Sequence, residues 1–238
     1  MIALRVACLA VAASVAAAPA VDLAVSADSA AAPGVAKRPT IAERFLGQAD
    51  HVLGQLTSTT YRHRTRVVEA AGIYETDCKG LIAFLLRKVS PAHLAVIPAP
   101  TGRKQPRAVE YYEFFVVQPA LGHPTMTGWN RVSSLSQTQA GDVLAWRYRE
   151  TVPGKSTGHV LIIDAKPEQV EDNLYRVDVI DSTGTPHDDD TRVKGGTGIG
   201  KGVMWFKVNA DGQPIAYKRN SESGFKSAPI AIGRMAEK

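Results

Sequence analysis

Cysteine is scarce in this sequence, and the scarcity limits what its thiols can do. Only Cys8 and Cys78 occur among 238 residues, so the chain is not one of the small scaffolds that depend on several disulfides. Cys8 lies in an N-terminal apolar run typical of a removable leader. Cys78 is then the one remaining thiol, and a lone cysteine in an exported protein is either reactive or buried and inert.

The sequence also lacks an apolar run long enough to cross a membrane. The N-terminal apolar run, residues 6–18, is about a dozen residues long, whereas a spanning helix needs roughly 20. The run follows Arg5 and ends in small residues, a pattern typical of a secretory signal peptide. We predict a signal peptide over residues 1–20, with cleavage between 18 and 27, and a disordered leader over residues 21–39. The mature protein is expected to be periplasmic or secreted, with no stable membrane span.

Charge of one sign is not concentrated in any block. The net charge is +5, and the lysines and arginines are scattered, so no nucleic-acid partner is predicted. A modest basic excess suits an anionic surface such as a bacterial wall.

No spacing is typical of a metal site, so no metal or cofactor is predicted; a cation held by His187 and residues 188–190 is the weaker alternative. The chain is predicted to be a monomer.

Helical patterns dominate the first half of the chain. Apolar residues at helical spacing predict a helix over residues 41–56, with Thr40 and Glu43 as its capping box. The sequence predicts a second helix over residues 77–90, which ends before a proline, and a third over residues 106–117.

Strand patterns dominate the second half. Runs rich in Val, Ile, Trp and Tyr predict strands at residues 142–149, 159–164, 174–181 and 202–208. Residues 121–137 are expected to form an ordered loop that holds Trp129, and residues 195–202 a flexible Gly-rich turn. Helices followed by strands predict one α+β domain over residues 40–238, with a helix packed on an antiparallel sheet.

The motif Asp77-Cys78-Lys79-Gly80 opens the second predicted helix. Unpaired N–H groups in the first turn of a helix favour a thiolate, and Asp77 is a suitable N-cap residue. We interpret Cys78 as a catalytic nucleophile. The alternative is a buried cysteine that fills a contact between helix and sheet.

His159 opens a strongly β-forming run and is a candidate base for Cys78. The run over residues 174–181 follows after a polar connection, predicted to be a long hairpin loop over residues 165–173. If the turn centres near Val170, Asp181 stands opposite His159 and can orient its ring, as the acid does in a catalytic triad. A slip of one residue would turn Asp181 to the other face; His187 is then the main substitute, and Asp164, at the far end of the strand, is the weaker one.

Three blocks resemble the NlpC-type cell-wall peptidases of the papain-like cysteine hydrolase superfamily. They are Asp77-Cys78-Lys79-Gly80-Leu81-Ile82, Gly141-Asp142-Val143-Leu144-Ala145-Trp146 and Gly158-His159-Val160-Leu161-Ile162-Ile163, within residues 61–182. The resemblance implies a papain-like fold and a cysteine peptidase or amidase that acts on peptidoglycan, with Cys78 as nucleophile and His159 as base. Lys79 replaces the usual serine, residues 91–137 look like an insertion, and Asp181 takes a role usually held by histidine. These departures imply a divergent member.

Four further residues are predicted to contact substrate. Tyr74, like Tyr61, lies just upstream of the nucleophile, where the family has a tyrosine near its oxyanion site, although a core position fits both equally. Trp146 is either the floor of the cleft or part of the core. His187 and Arg192 lie in a polar stretch that suits a substrate-binding rim, where Arg192 would meet a carboxylate.

Two other functions fit the same residues. A transglutaminase-like acyl transferase uses the same Cys, His, Asp order, and the segment Val179-Ile180-Asp181-Ser182-Thr183 resembles its aspartate strand. A non-catalytic wall-binding module on the same fold is the second alternative.

Overall fold

The structure is a computed structural model, and it describes residues 38–150, 152 and 154–237. The predicted signal peptide and most of the predicted leader lie outside the described residues. The helices are α1 Ile41–Gly54, α2 Cys78–Val89, α3 Pro91–Ala95 and α4 Ala108–Val116, with short 3₁₀ turns at Glu69–Ala71 and Leu135–Gln137. The strands are β1 Ser58–Tyr61, β2 Arg66–Val68, β3 Ile73–Thr76, β4 Trp129–Val132, β5 Val143–Arg147, β6 Gly158–Ile163, β7 Glu168–Glu171, β8 Leu174–Thr183, β9 Gly198–Val208, β10 Pro214–Lys218, β11 Lys226–Ser227 and β12 Ile230–Met235.

The three longer helices lie within the residues that their sequences predict, and their ends differ from the predicted ends by at most two residues. Thr40 caps α1 through a complete capping box with Glu43. Asp77 caps α2, which ends before Pro91, and α4 lies within the predicted residues 106–117. Helix α3 is a short addition directly after α2, with Pro91 in its first turn, where the missing N–H is not needed.

A nine-stranded antiparallel sheet forms the second half of the fold. The strand order is β11-β10-β9-β8-β6-β5-β12-β4, and β7 pairs with β8 at the side. A separate three-stranded sheet, β1-β3-β2, leads into the start of α2. The prediction of an α+β chain with an antiparallel sheet is therefore confirmed at this level.

Alternating side chains of the large sheet serve two cores. Val160 and Ile162 of β6 face the helices and join a core that contains Phe45, Leu81 and Phe115. Residues Leu161 and Ile163 of the same strand face the opposite core, which is built almost wholly from the strands. Trp146 of β5 stacks on Tyr217 of β10, which is not its neighbour in the sheet, so the sheet curls around this second core.

Three predicted connections are wrong in part. The expected loop over residues 121–137 contains β4, because Trp129 to Val132 pair with β12. The expected hairpin loop over residues 165–173 contains β7, which extends the hairpin with β8. The turn over residues 195–202 is shorter than expected, since β9 begins at Gly198 and pairs along the whole of β8. Strands β10 and β12 carry weak period-2 patterns and had no sequence prediction.

Candidate active site

Helix α2 places the Cys78 thiol at its first residue. Asp77 precedes it as the N-cap, and its Oδ1 accepts a hydrogen bond from the Gly80 N–H at 2.9 Å. Its other carboxylate oxygen forms an ion pair with Lys79. Position 80 requires glycine, because a Cβ there would lie 2.2 Å from the Thr76 hydroxyl oxygen and 2.3 Å from that of Thr65. The start of α2 is thus fixed by the side chains of Asp77, Thr76 and Thr65.

The Cys78 sulfur is nearly shielded from solvent. Its residue is 5% exposed and forms no disulfide. Burial and the negative charge of Asp77 raise the pKa of Cys78 to about 12, against the opposing effects of a hydrogen bond from the Val160 N–H and of the Lys79 ammonium. At neutral pH the group is therefore a thiol that needs a base to become a nucleophile.

His159 and Asp181 form a buried pair beside the start of α2. The His159 Nε2 lies 2.6 Å from the Asp181 Oδ2, and both residues are almost wholly buried. The His159 ring packs on Trp146, with ring centroids 4.9 Å apart. Burial lowers the pKa of His159 although Asp181 opposes this, so the ring is neutral at pH 7 and able to accept a proton.

Asp181 is shared by three positively chargeable side chains. Besides His159, its Oδ2 lies 3.1 Å from the His187 Nε2, and its Oδ1 accepts from the Arg192 Nη2 at 2.5 Å. Burial alone would raise the pKa of Asp181, but the charges and hydrogen bonds of His187 and His159 hold that pKa well below its usual range. The Nδ1 of His187 lies 3.1 Å from the backbone oxygen of Arg219, which fixes the orientation of this second ring.

The pairing of β6 with β8 is displaced by two residues from the predicted register. Ile162 pairs with Ile180 and Ile163 with Val179, so Asp181 does not stand directly opposite His159. A displacement by an even number leaves each side chain on its face of the sheet, and the two side chains still meet diagonally. The contact was thus predicted correctly from a register that was wrong.

Cys78 reaches the sheet where β6 and β8 stop pairing. The paired residues of these strands are Ile162 and Ile163 with their partners, so the earlier part of β6 is not paired with β8, and the Val160 backbone there acts to lower the pKa of Cys78. Since Val160 belongs to the helix-facing core and its neighbour His159 stacks on Trp146, the thiol and the ring approach this gap from different sides. Among the described residues no hydrogen bond joins the Cys78 sulfur to the His159 ring.

A cleft opens over Cys78. It encloses about 160 Å³ and is lined by Cys78, Tyr61, Asp77, Lys79 and Gly158 with several basic and small residues of two loops. Burial, with smaller effects of Cys78 and Asp77, raises the pKa of Tyr61, so its phenol keeps its proton and can donate a hydrogen bond. His159 itself does not line this cleft. The further lining residues are His63, Arg103, Arg107, Ala108, Gly154, Lys155, Ser156 and Thr157.

The four residues predicted to contact substrate have other partners. Tyr74 and Trp146 are buried in the two cores, which selects the core alternative for both. His187 is buried against the Asp181 carboxylate and does not lie at the rim of the cleft. Arg192, whose side chain is 2% exposed, pairs with Asp181 and Asp190 instead of meeting a substrate carboxylate. The structure therefore corrects all four positions: Tyr74 and Trp146 pack the cores, and His187 and Arg192 hold Asp181.

The acidic residues beside His187 are also used within the protein. Asp190 binds Arg192 and the His187 N–H, and Asp188 accepts from the Trp205 indole N–H at 2.8 Å. Among the described residues, no group of three or more His, Cys, Asp or Glu side chains is placed to hold a metal ion. Nor is any described helix long and apolar enough to span a membrane.

Sequence reasoning missed the basic wall of the cleft. In the sequence Lys79 stands out only as a departure from a motif, and no pattern marks Arg103 or Lys155. The signal was present in two short segments dense in Arg, Lys and His, residues 62–66 and 103–107, which are far apart in sequence and meet only in the fold.

Comparison with known proteins gives one similarity. The chain is similar to "Uncharacterized protein R653" of Acanthamoeba polyphaga mimivirus, with 29% identity over 183 residues that cover 67% of this chain and 77% of that protein. No model of a known protein family matches the sequence, and no solved structure matches it at a significant level. The name of the viral protein assigns no activity, so the function must be argued from the site.

Proposed function

We propose that this protein is an exported cysteine hydrolase of papain-like architecture that cleaves peptide or amide bonds, with peptidoglycan as its substrate. Cys78 is the nucleophile, His159 the base and Asp181 the residue that orients His159. The observation that carries the proposal is the buried His159–Asp181 pair at 2.6 Å, together with a thiol at the first residue of a helix that lines a cleft.

In the proposed mechanism His159 moves one proton during acylation of Cys78 and one during hydrolysis of the acyl-enzyme. The neutral His159 ring accepts the Cys78 proton through the nitrogen that does not bind Asp181, while the sulfur attacks the amide carbonyl carbon. The resulting imidazolium is stabilised by Asp181 and returns its proton to the leaving amine, so that an acyl-thioester remains. Water, deprotonated by His159, then releases the acid and restores the thiol. The free N–H groups at the start of α2 and the Tyr61 phenol are available to the carbonyl oxygen when it becomes negative.

A movement of one ring is required before this chemistry. No hydrogen bond links the Cys78 sulfur with His159, and catalytic hydrogen bonds commonly tighten only in the complex with substrate. Such a tightening requires the His159 ring to leave its packing on Trp146, because the ring lies on the Trp146 side of β6 while Cys78 packs in the helix-facing core. We therefore place proton transfer after substrate binding and not in the resting protein.

The experiment is hydrolysis of purified muropeptides by the full chain, with new amino groups detected by mass spectrometry. Cys78→Ala and His159→Gln are each expected to reduce the rate at least 100-fold, because each removes a group that reacts. His51→Gln is the matched control, since His51 is an exposed histidine of α1 outside the cleft. Retention of hydrolysis by Cys78→Ala would exclude the mechanism.

Two alternatives have distinct outcomes in the same assay. Incorporation of a labelled primary amine in place of hydrolysis would identify a transglutaminase-like acyl transferase. A non-catalytic wall-binding module is favoured by one observation, the buried thiol with its raised pKa. Binding to intact sacculi without release of any fragment, unchanged in Cys78→Ala, would identify that module.

A further inference from the structure

A second cavity continues from the cleft at Cys78. It encloses about 1050 Å³ and shares His63, Lys79 and Arg103 with the wall of the cleft. We call this second cavity the basic groove. Its lining residues are His63, Arg64, Thr65, Lys79, Arg87, Gly102, Arg103, Lys104 and Gln105.

The basic groove carries uncompensated positive charge. Arg64, Arg87, Arg103 and Lys104 are all exposed, and within the described part of the chain no carboxylate lies within 4 Å of any of them. No acidic residue is among the described residues of its lining. This differs from Lys79, which pairs with Asp77, and from other surface cations that pair with carboxylates.

The groove is assembled from three separate parts of the chain. Arg64 belongs to the loop between β1 and β2, Arg87 to the last turn of α2, and Arg103 and Lys104 to the loop before α4. Like charges held together by folding repel one another, so the arrangement favours binding of an anion. Arginine is also the side chain best suited to bind a carboxylate with two hydrogen bonds.

We propose that the basic groove binds an acidic peptide segment of the substrate, on one side of the bond that Cys78 attacks. This inference rests on the proposed function, since it names the class of substrate for the same site. A peptide is the occupant that fits, because the narrow cleft over a single thiol accepts a backbone amide while the wide groove beside it accepts charged side chains. A substrate with several carboxylates near the scissile amide would meet both features.

The test measures binding separately from cleavage. The full chain carrying Cys78→Ala, which removes the thiol, is titrated against fluorescein-labelled hexaglutamate and hexaglutamine, with fluorescence anisotropy as the readout. We expect hexaglutamate to bind at least tenfold more tightly than hexaglutamine, and its affinity to fall as salt is raised. Equal affinity for the two peptides would overturn the proposal.

Charge reversal locates the binding surface. The double variant Arg103→Glu/Lys104→Glu is expected to weaken hexaglutamate binding at least tenfold. Lys166→Glu/Lys226→Glu is the matched control, because it makes the same change in net charge at two exposed lysines outside the groove, and it is expected to change affinity less than twofold. Arg64→Glu, on another loop, is a second variant in case the loop before α4 misfolds. Equal loss in the groove and control variants would show nonspecific attraction and overturn the proposal.

A labelled single-stranded oligonucleotide separates a peptide site from a general polyanion site. The proposal expects hexaglutamate to bind more tightly at equal charge, and tighter binding of the oligonucleotide would overturn it. The results also distinguish this inference from the proposed function. Selective hexaglutamate binding without any hydrolysis would leave the groove assignment intact and reject the hydrolase. Hydrolysis of muropeptides without selective hexaglutamate binding would support the hydrolase and reject the groove assignment.

Discussion

Asp77 links the local structure of the site to the reactivity of its thiol. The same carboxylate caps α2 through the Gly80 N–H, pairs with Lys79 and disfavours ionisation of Cys78 by its charge. A cap and a charge are separable properties, because asparagine caps a helix about as well as aspartate does but carries no charge. This residue therefore offers a direct test of what controls the thiol.

Asp77→Asn is expected to lower the pKa of Cys78 and to speed its alkylation. The substitution removes a negative charge beside the sulfur and releases Lys79 from its ion pair, and both changes favour the thiolate. We expect the rate of reaction with iodoacetamide at pH 8 to rise severalfold while the melting temperature changes little. The measurement is the alkylation rate of the full chain, followed by mass spectrometry of the peptide that contains Cys78.

Lys79→Ala supplies the opposite result in the same measurement. Lys79 favours the thiolate, so its removal is expected to raise the pKa of Cys78 further and to slow alkylation. If both variants reacted at the rate of the parent protein, access of the reagent and not charge would control this thiol.

At the scale of elements, strand β6 depends on the backbone of Gly158. Its φ of 152° lies in a region that side chains rarely adopt, and a Cβ at this position would lie 1.9 Å from the Trp146 backbone oxygen on β5. Gly158 also pairs with Arg147 at the end of the β5–β6 ladder, directly before His159. The position of the candidate base is thus tied to a residue that only glycine can fill.

Gly158→Ala is expected to destabilise the protein by at least about 2 kcal/mol, from backbone strain and the clash with β5. Gly47→Ala is the matched control: Gly47 lies in the middle of α1, and apart from its chain neighbours and the adjacent backbone of the helix no atom lies within 4 Å of its Cβ position. That variant is expected to be slightly more stable, by about 0.5–1 kcal/mol, because alanine favours a helix. Thermal unfolding of both variants is the measurement, and shifts of the same sign would contradict the argument.

The sequence predicts local elements of this site better than long-range ones. The cap of α2, the start of β6 and the face on which Asp181 lies follow from residues close in the chain or from the period of a strand. The register of β6 and β8 does not, because it depends on where β7 extends the hairpin. The contacts of His187 and Arg192 with Asp181 arise from a loop that folds back under the sheet, and no periodicity reports that.

At the scale of the whole molecule, strand β12 occupies an interior position of the large sheet. Strand β12 lies between β5 and β4, and its Arg234 binds both carboxylate oxygens of the buried Asp142 at 2.7 Å. Asp142 precedes β5 in the second of the three motif blocks. The sequence resemblance assigns it to a functional motif, whereas in the structure its carboxylate links β5 to β12. The weak strand pattern of residues 230–235 gives no indication that this segment is inserted between two other strands of the sheet.

Stability of the whole chain is expected to fall as the pH drops below neutral, and His159 contributes to this slope. Burial holds the pKa of His159 below its unfolded value of about 6.5, so the unfolded chain binds more protons as the solution is acidified. The stability that the neutral ring provides is present above about pH 6.5 and is lost as the pH falls through the lower folded pKa. One such group adds a slope of at most about 1.4 kcal/mol per pH unit.

The slope separates His159 from other histidines. Chemical denaturation of the full chain between pH 7.5 and 5 is expected to give a shallower dependence on pH for His159→Gln than for the parent protein. The absolute stability of that variant also changes because Asp181 loses a partner, and for this reason the slope is the readout. His51→Gln, at an exposed site of α1, should keep the parent slope. Equal slopes in all three proteins would mean that the folded state accepts a proton at His159 as readily as the unfolded chain does, and the neutral base required for catalysis would then be absent at mildly acidic pH.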